Sequence, residues 1–164
     1  MVELDKFIKI FEGLTSAYGQ TVKTDQFSEK GKHKTKSFTI SNPVTKKLWR
    51  EHLEGKDPAL GIVPINKENK CKWGCIDIDT YPFDHKKFIQ KLKQKNIPII
   101  VCRSKSGGAH AFLFTKDFVP ATVMRVKLKL IASALGFAGV EIFPKQDYIR
   151  TDRGDTGSFL NLPY

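Results

Sequence analysis

Long apolar runs and cysteines are both scarce in this chain of 164 residues. The longest apolar run, around residues 97–102, is far too short to cross a bilayer, and the N-terminus lacks the pattern of a signal peptide. Three cysteines at irregular spacing do not make a disulfide framework and fit a reducing compartment. We therefore expect a cytoplasmic protein without a membrane partner, long enough for one well-cored domain.

Acidic residues are outnumbered by basic ones: 17 Asp and Glu stand against 28 Lys and Arg, for a formal net charge of +11. A basic surface attracts polyanions, because each phosphate that it neutralises releases condensed counterions. The positive charge is spread over residues 30–36, 86–95 and 125–129 rather than gathered in a tail. A lysine-rich surface that only keeps the protein in solution explains the charge equally well, so charge alone does not assign a nucleic-acid partner.

The first part of the chain predicts few regular elements. Apolar residues at helical spacing predict a helix over residues 4–12. Residues 13–40 are polar and lysine-rich without a sustained period, which predicts a loop that includes a strand or hairpin. Ser-Asn-Pro at residues 41–43 predicts the start of a second helix that ends at Gly55, and residues 60–65 predict a short strand.

From Lys72 onward the order of the elements is informative. We predict strands over residues 73–79, 97–103, 109–115 and 140–143, and helices over residues 84–95 and 120–135. The order strand–helix–strand–strand–helix–strand is that of the ferredoxin-like fold of RNA-recognition modules and polymerase palms. The predicted class is therefore α+β, with a small N-terminal α/β module at residues 1–70 packed on a palm at residues 71–164 as one compact domain.

Two carboxylates, Asp77 and Asp79, end the first strand of the predicted palm, with Ile76 and Ile78 beside them. Residues i and i+2 of a strand point to the same face. Two anions side by side on an otherwise apolar strand are costly unless a positive charge neutralises them. Mg²⁺ or Mn²⁺ would do so, because both prefer carboxylate oxygen. A strand end with two solvated carboxylates is the alternative, and the Asp-x-Asp pattern alone does not separate the two.

The expected topology brings further polar groups to these carboxylates. In a ferredoxin-like sheet the strand order is 4-1-3-2, so the first strand lies between the third and the fourth and is antiparallel to both. Its end, with Asp77 and Asp79, then adjoins the third strand at His110 and the fourth at Glu141. A third carboxylate beside a same-face pair is the usual composition of a two-metal site for phosphoryl or nucleotidyl transfer.

The connection between the second and third palm strands is rich in groups that bind anions: Arg103, Ser104, Lys105, Ser106, Gly107, Gly108 and His110. Glycines let backbone N–H groups approach an anion closely, and the hydroxyls and basic side chains add donors. We expect this loop to hold a triphosphate next to the carboxylates. An ordinary hairpin turn is the alternative, because Ser-Gly-Gly suits turns equally well.

Four stretches of the chain follow one another in a characteristic order: CIDID at 75–79, SKSGGAH at 104–110, VEIFPKQ at 140–146 and FLNLPY at 159–164. Together they resemble the archaeo-eukaryotic primase superfamily, and most closely the primase-polymerases of phages, plasmids and CRISPR-associated or conflict-system loci. FEG and AYG near the N-terminus, and HLEG and GIVP at residues 52–64, resemble the N-terminal module of that family. The resemblance covers nearly the whole chain.

The resemblance implies a template-dependent nucleotidyltransferase that makes primers or extends DNA and releases pyrophosphate. It implies a two-metal site of Mg²⁺ or Mn²⁺ on Asp77, Asp79 and Glu141. The implied partners are a single-stranded DNA template with its primer, dNTP or NTP substrates, and a helicase domain or protein outside this chain. The implied setting is a prokaryotic cell, with a gene carried by a phage, plasmid or other mobile element.

The resemblance also implies contacts to the incoming nucleotide. Ser106 and His110 are expected to contact its triphosphate, and Asn161 is expected to lie near it. Further candidates are basic or loop residues beside these: Arg103, Ser104, Lys105, Gly107, Gly108 and Lys145. Ser158 departs from the family pattern, since relatives often carry another polar residue there.

Two smaller questions concern zinc and the choice of sugar. Some relatives of this family carry a zinc-binding element, but Cys71 and Cys75 lack further ligands at a convincing spacing, so we predict no structural zinc. Tyr81 and Tyr148 are the two candidates for a residue that selects between ribose and deoxyribose.

Two other classes of protein remain as alternatives. A non-catalytic RRM-like module would present aromatic side chains on its central strands to stack bases, whereas the predicted face offers Asp77, Asp79 and His110. A metal-dependent nuclease or a nucleotide cyclase shares the same palm. A replication-initiator nuclease would need paired histidines and a nucleophilic tyrosine, and His-x-His is absent from the sequence.

Overall fold

A computed structural model of the chain describes residues 2–27 and 33–163. Part of the lysine-rich stretch at residues 30–36, and Tyr164 at the end of FLNLPY, therefore lie outside the described residues. The helices are α1 (Val2–Ile10), α2 (Lys46–Leu53), α3 (His85–Gln94) and α4 (Ala121–Ala134). The strands are β1 (Tyr18–Phe27), β2 (His33–Ile40), β3 (Ala59–Ile62), β4 (Lys70–Ile78), β5 (Ile100–Arg103), β6 (Ala109–Pro120), β7 (Glu141–Phe143) and β8 (Leu160–Asn161).

The second half of the chain forms an antiparallel sheet, the palm sheet, with the strand order β5-β6-β4-β7. β4 lies between β6 and β7 and is antiparallel to both. Helix α3 follows β4 and helix α4 follows β6, so the element order is the predicted strand–helix–strand–strand–helix–strand. The α+β fold class and the position of the first palm strand between the third and fourth are confirmed.

Local signals at the ends of the palm helices act as predicted. The Asp84 side chain accepts a hydrogen bond from the backbone N–H of Lys87 and caps α3. Gly136 follows the end of α4 with a φ of +86°, a conformation in which glycine meets no steric penalty. Both helices therefore begin and end within about two residues of their predicted limits.

The first half of the chain contains more strand than its composition predicts. Residues 13–40 were expected to be mainly loop, but β1 and β2 form a long antiparallel hairpin there. β1 also pairs with β3, and β3 pairs with β8, which gives the N-terminal sheet the order β2-β1-β3-β8. The predicted hairpin is therefore present, but it occupies more of the segment than expected. Residues 34–39 of β2 are exposed, so this strand has no apolar alternation for a pattern to detect.

Several boundaries differ from the predictions, among them those of α2, β3 and β5. Helix α2 begins at Lys46 rather than near residue 43, because the Thr45 hydroxyl caps it by accepting from the N–H of Leu48. Strand β3 is shorter than predicted. Strand β5 starts at Ile100 and lies at the edge of the palm sheet. Although its sequence is apolar, the strand is not buried on both faces, because Ile100 is 58% exposed.

The palm sheet is covered on both faces. Ile76 and Ile78 of β4 pack with Met124 and Leu128 of α4 in one core. The opposite face of β4 places Trp73 and Cys75 in a second core, which also contains the following side chains of α1, α2, β3 and β8: Phe7, Trp49, Leu60, Ile62 and Leu160. The N-terminal elements therefore cover the face on which Asp77 lies.

The C-terminal segment returns to the N-terminal sheet. Gly61 of β3 pairs with Asn161 of β8. The buried His52 ring accepts from the N–H of Leu60 at Nδ1, and its Nε2 bonds the carbonyl of Pro163 at 3.1 Å. Strand β8 thus belongs to the predicted palm by sequence but pairs with a strand of the predicted N-terminal module. The proposed boundary at residue 70 remains a prediction. Over the described residues, no helix combines the length and the apolar character that crossing a bilayer requires.

Candidate active site

A row of four side chains runs across the palm sheet at one end. Cys102 pairs with His110, His110 with Asp77, and Asp77 with Glu141. Residues directly opposite one another on neighbouring strands place their side chains on the same face. The structure thus brings Asp77, Glu141 and His110 together as the topology predicts, although the three are far apart along the chain.

Asp77 is the most perturbed carboxyl group of this row. Its side chain is 16% exposed, and His110 Nε2 lies 3.5 Å from its Oδ1. Asp77 Oδ1 is nevertheless buried without a hydrogen-bond partner among the described residues. Burial, and then the charges of Asp79 and Glu141, raise the pKa of Asp77 from its ordinary value of 3.8 to about 6. A buried oxygen with negative neighbours is a position that a cation would stabilise.

His110 does not supply that cation. Burial lowers the pKa of His110 below its ordinary value, and the opposing effect of Asp79 is smaller. The ring is therefore neutral at pH 7, and its contact with Asp77 is not an ion pair. A neutral imidazole keeps one N–H that can donate to an anion.

Glu141 is held by a lysine from the segment that follows β7. Lys145 Nζ is 2.8 Å from Glu141 Oε1 and 5.0 Å from the centre of the Phe143 ring. The same ammonium group partly offsets the raised pKa of Asp77. Lys145 thus places a positive charge beside Glu141 and close enough to Asp77 to affect its pKa. Its predicted contact with the nucleotide stays a prediction.

Asp79 follows the last residue of β4 and is exposed. Its Oδ1 accepts a hydrogen bond from the Tyr81 hydroxyl at 2.7 Å, and the same hydroxyl lies 2.6 Å from Ser106 Oγ. Asp79 is therefore connected to the turn between β5 and β6 through Tyr81.

The turn at residues 104–108 is closed by its own backbone. Ser104 N–H donates to the carbonyl of Gly108, and Gly107 N–H donates to the carbonyl of Ser104. Gly107 has a φ of +102°. A Cβ on Gly108 would lie 2.2 Å from the carbonyl oxygen of Ile78, so only glycine lets this turn touch the end of β4. The two glycines place the turn beside Asp77, but the Gly107 N–H is already used.

The side chains of this turn differ in their surroundings. Ser104 is buried, and its Oγ lies 3.2 Å from Ser106 Oγ. Arg103 and Lys105 are exposed, with the Arg103 guanidinium close to Gly107. Ser106 is exposed and faces Asp79 through Tyr81. The turn therefore offers one hydroxyl and two flexible cations at the site.

A cavity of about 370 Å³ opens beside Asp77. Asp77 and His110 line it from the palm sheet, and Asn161 and Ser158 line it from the C-terminal segment. Asn161 is fixed by hydrogen bonds to Thr21, with Nδ2 at 3.1 Å from the hydroxyl. Asn161 and Asp77 thus line the same cavity, and the expected contact of Asn161 with the nucleotide stays a prediction.

Three residues of the site were missed or misjudged by the sequence analysis. Tyr81 was considered only as a selector of sugar, whereas its hydroxyl bonds Asp79 and Ser106. His85 bonds the Gly108 carbonyl at 3.0 Å and supports the turn. Gln146 binds Ser158 through both its amide atoms. Only the folded chain brings these partners together, so no local pattern signalled them.

Nearly the whole chain matches a known protein family. A family model described as the archaeo-eukaryotic primase domain of the TOTE conflict system matches residues 6–164. The chain belongs to this family. No curated protein matches the chain closely enough to count as a relative.

Membership of the archaeo-eukaryotic primase family gives the site a chemical class. These domains are nucleotidyltransferase-like and typically use divalent metal ions. Within the described part of this primase domain, no group of three or more His, Cys, Asp and Glu side chains is arranged to hold a metal as it stands. Glu141 faces Lys145 instead.

The donor set of the primase domain nevertheless fits a hard divalent cation. Asp77 has a buried oxygen that lacks a partner among the described residues, and the carboxylates of Asp79 and Glu141 raise its pKa. Carboxylate oxygens are the ligands that Mg²⁺ and Mn²⁺ prefer. A positive charge, that of Lys145, already lies at this row.

The aromatic residues of the palm sheet correct one argument from the sequence. Phe112 and Phe114 of β6 and Trp73 of β4 do lie on the same face as Asp77, so the face is not devoid of aromatics. Phe112 and Trp73 are 0% exposed, because Phe11 packs edge-on against both rings. Neither of these two rings can stack a base, whereas Phe114 is half-buried, so the aromatic content of this face does not by itself exclude an RRM-like module.

Proposed function

We propose that the chain is the catalytic domain of a DNA primase-polymerase. It would join nucleotides on a single-stranded template by attack of a 3′-hydroxyl on the α-phosphorus of a bound nucleotide, with release of pyrophosphate. The observation that carries this proposal is a buried oxygen of Asp77 that has no hydrogen-bond partner among the described residues, on a residue placed in register between His110 and Glu141. Such a group is costly to keep in a protein unless a ligand uses it.

Each predicted site residue has a role in this reaction. Asp77, Asp79 and Glu141 would hold two Mg²⁺ or Mn²⁺ ions, which supply charge stabilisation at the attacking and leaving oxygens when bound. Neutral His110 would donate its N–H to a phosphate oxygen, and Ser106 would donate its hydroxyl. The flexible cations would neutralise the triphosphate; these are Arg103, Lys105 and Lys145.

The cavity supports a position for the nucleoside. Its volume of about 370 Å³ suits one small ligand, at the lower end of the range for such sites. Besides Asp77 and His110, the lining contains side chains with hydrogen-bonding groups: Ser37, Thr39, Ser158 and Asn161. Because Asn161 is already oriented by Thr21, it would contact the nucleoside without losing further side-chain freedom.

A second surface supports the approach of a DNA strand. A groove of about 890 Å³ lies between α1 and the β5–β6 edge of the palm sheet. Cys102 lines the groove and pairs with His110 of the site, so the two spaces adjoin. Basic residues occur around the groove: Lys6, Lys9, Lys72, Arg103 and Lys116. A basic groove with an apolar floor is typical of proteins that bind single strands.

Nucleotide addition tests the proposal. Purified protein would be incubated with Mn²⁺ or Mg²⁺, labelled dNTPs or NTPs, and a single-stranded template with and without a primer. We expect wild-type protein to extend the primer, and Asp77→Ala to reduce extension on the order of a thousandfold, while DNA binding is retained. Asp117→Ala is the matched control, because Asp117 is an exposed carboxylate at the far end of β6.

The products distinguish the remaining classes. Strand cleavage by the wild-type protein would indicate a nuclease, and a cyclic nucleotide would indicate a cyclase. Binding of DNA without any reaction would indicate a non-catalytic module. Full extension by Asp77→Ala would contradict the assignment of Asp77, Asp79 and Glu141 as metal ligands.

A further inference from the structure

Tyr81 contacts both halves of the site. It lies between β4 and α3, and its hydroxyl oxygen is 2.7 Å from Asp79 Oδ1 and 2.6 Å from Ser106 Oγ. Under the proposed function, Asp79 binds metal and Ser106 binds the triphosphate. One phenol group therefore connects the residue that would hold the cation to the residue that would hold the phosphate.

The number of protons fixes the direction of these hydrogen bonds. A phenol has one proton, and an ionised carboxylate only accepts, so Tyr81 donates to Asp79. While no phosphate is bound, Ser106 then donates its hydroxyl proton to the Tyr81 oxygen. Ser104, 3.2 Å from Ser106 Oγ, is placed to donate in turn. A chain of hydrogen bonds thus begins at the buried Ser104 and ends at the carboxylate of the exposed Asp79.

The hydrogen bond from Tyr81 restrains the Asp79 carboxylate. Asp79 is exposed at the end of its strand, where a carboxylate rotates freely unless a hydrogen bond restrains it. Hydrogen bonds to ligating carboxylates orient them, and losing one typically weakens metal binding by a factor of ten or more.

We propose that Tyr81 is a positioning residue, which orients Asp79 for a divalent cation and couples cation binding to the Ser106 hydroxyl. The proposal rests on the proposed function, since Asp79 and Ser106 receive their roles there. It also assigns Tyr81 a role other than that of a sugar selector. A selector that acts through the bulk of its ring needs no hydroxyl, whereas the positioning role depends on the hydroxyl alone.

The experiment is a titration of the full chain with Mn²⁺ alone, followed by electron paramagnetic resonance of the free ion. Tyr81→Phe keeps the ring and removes the hydroxyl, and we expect it to raise the Kd for Mn²⁺ about tenfold. Ser106→Ala breaks the chain of hydrogen bonds one step further away and should raise that Kd about threefold. In the double variant the two effects should not multiply, because both act through one network.

Tyr148→Phe is the matched control. Tyr148 is 67% exposed and is absent from the lining of the cavity, so its Kd for Mn²⁺ should stay at the wild-type value. A second titration with Mn²⁺ and α,β-methylene-dATP should show that Mn²⁺ strengthens binding of this analogue less in Tyr81→Phe than in wild type.

The results separate this inference from the proposed function. If wild type binds Mn²⁺, Asp77→Asn does not, and Tyr81→Phe matches wild type, Tyr81 has no positioning role and the metal site stands. If Tyr81→Phe keeps the Mn²⁺ affinity of wild type, and Tyr81→Ala, which also removes the ring, changes the choice between dATP and ATP, Tyr81 is a sugar selector and this inference is wrong. If wild type itself binds no Mn²⁺, the proposed function and this inference both fail.

Discussion

Two neighbouring rows of the palm sheet lie on the same face and have opposite characters. One row consists of Ile100, Phe112, Cys75 and Phe143, and the next consists of Cys102, His110, Asp77 and Glu141. Phe112 and Cys75 are completely buried. Two residues after Cys75 on β4, Asp77 lines an open cavity. Its Oδ1 is buried and has no hydrogen-bond partner among the described residues.

The two rows differ in role: the apolar row stabilises the fold, and the polar row contains the candidate active site. The apolar row is closed by α1 and α2, and burial of rings such as Phe112 stabilises the fold by roughly 2 kcal/mol each. The polar row is destabilised by the burial of the Asp77 carboxylate and by its repulsion from Asp79 and Glu141. Because both rows share strands, the rigid apolar row holds the carboxylates in place against that repulsion.

The largest effect is expected from the apolar row. Phe112→Ala removes a ring that contacts Phe11 and Trp73, and should lower the free energy of unfolding by about 3 to 5 kcal/mol. Urea unfolding followed by circular dichroism measures this loss. Phe38→Ala on the exposed hairpin, where Phe38 is 39% exposed, is the control and should cost less than about 1 kcal/mol. Equal losses would show that the apolar row does not carry the stability.

An intermediate effect of opposite sign is expected from the polar row. Folding raises the pKa of Asp77 from 3.8 to about 6, so the unfolded chain loses this proton at a lower pH than the native protein. Native stability therefore falls as pH rises from about 4 to about 6 and stays lower above that. Asp77→Asn removes the charge and should stabilise the protein by about 2 kcal/mol at pH 8 in EDTA.

Thermal melts at several pH values check this prediction. The gain of Asp77→Asn should shrink towards zero near pH 4, where the native carboxyl group is protonated. Addition of Mn²⁺ should stabilise wild type at pH 8 and leave Asp77→Asn unchanged. A gain that is the same at pH 4 and pH 8 would mean that Asp77 is not strained by its charge.

The smallest effect concerns the groove beside the apolar row. Lys9→Ala removes one cation from its lining and should weaken binding of single-stranded DNA by about 1 kcal/mol, with a decrease of about 0.7 in the salt slope. Fluorescence anisotropy at several salt concentrations gives both values. Lys87→Ala on α3, behind the opposite face of the sheet, carries the same charge change as a control. An equal effect of both substitutions would indicate attraction by net charge alone.

The palm could be predicted because its signals are local. Asp84 and Gly136 mark helix ends through their own backbone, and the alternation of Asp77 with Ile76 and Ile78 fixes a face. Once the order of elements indicated a ferredoxin-like sheet, the meeting of Asp77 with His110 and Glu141 followed from topology.

The remainder of the site depends on contacts between distant residues of weakly patterned segments. Asn161 is oriented by Thr21, which lies 140 residues away, in a strand without apolar alternation. Tyr81 meets Ser106 across 25 residues, although neither lies in a regular element. Propensity and periodicity describe single segments, so they carry no information about such pairs.

The pairing of β3 with β8 also sets the order in which the domain is completed during translation. β8 is synthesised about a hundred residues after β3, a delay of about 5 to 20 s at the usual rates of the ribosome. The last strand of the palm sheet, β7, emerges before β8. A nascent chain therefore exposes Asp77 to solvent before the side of the cavity that contains Asn161 is in place.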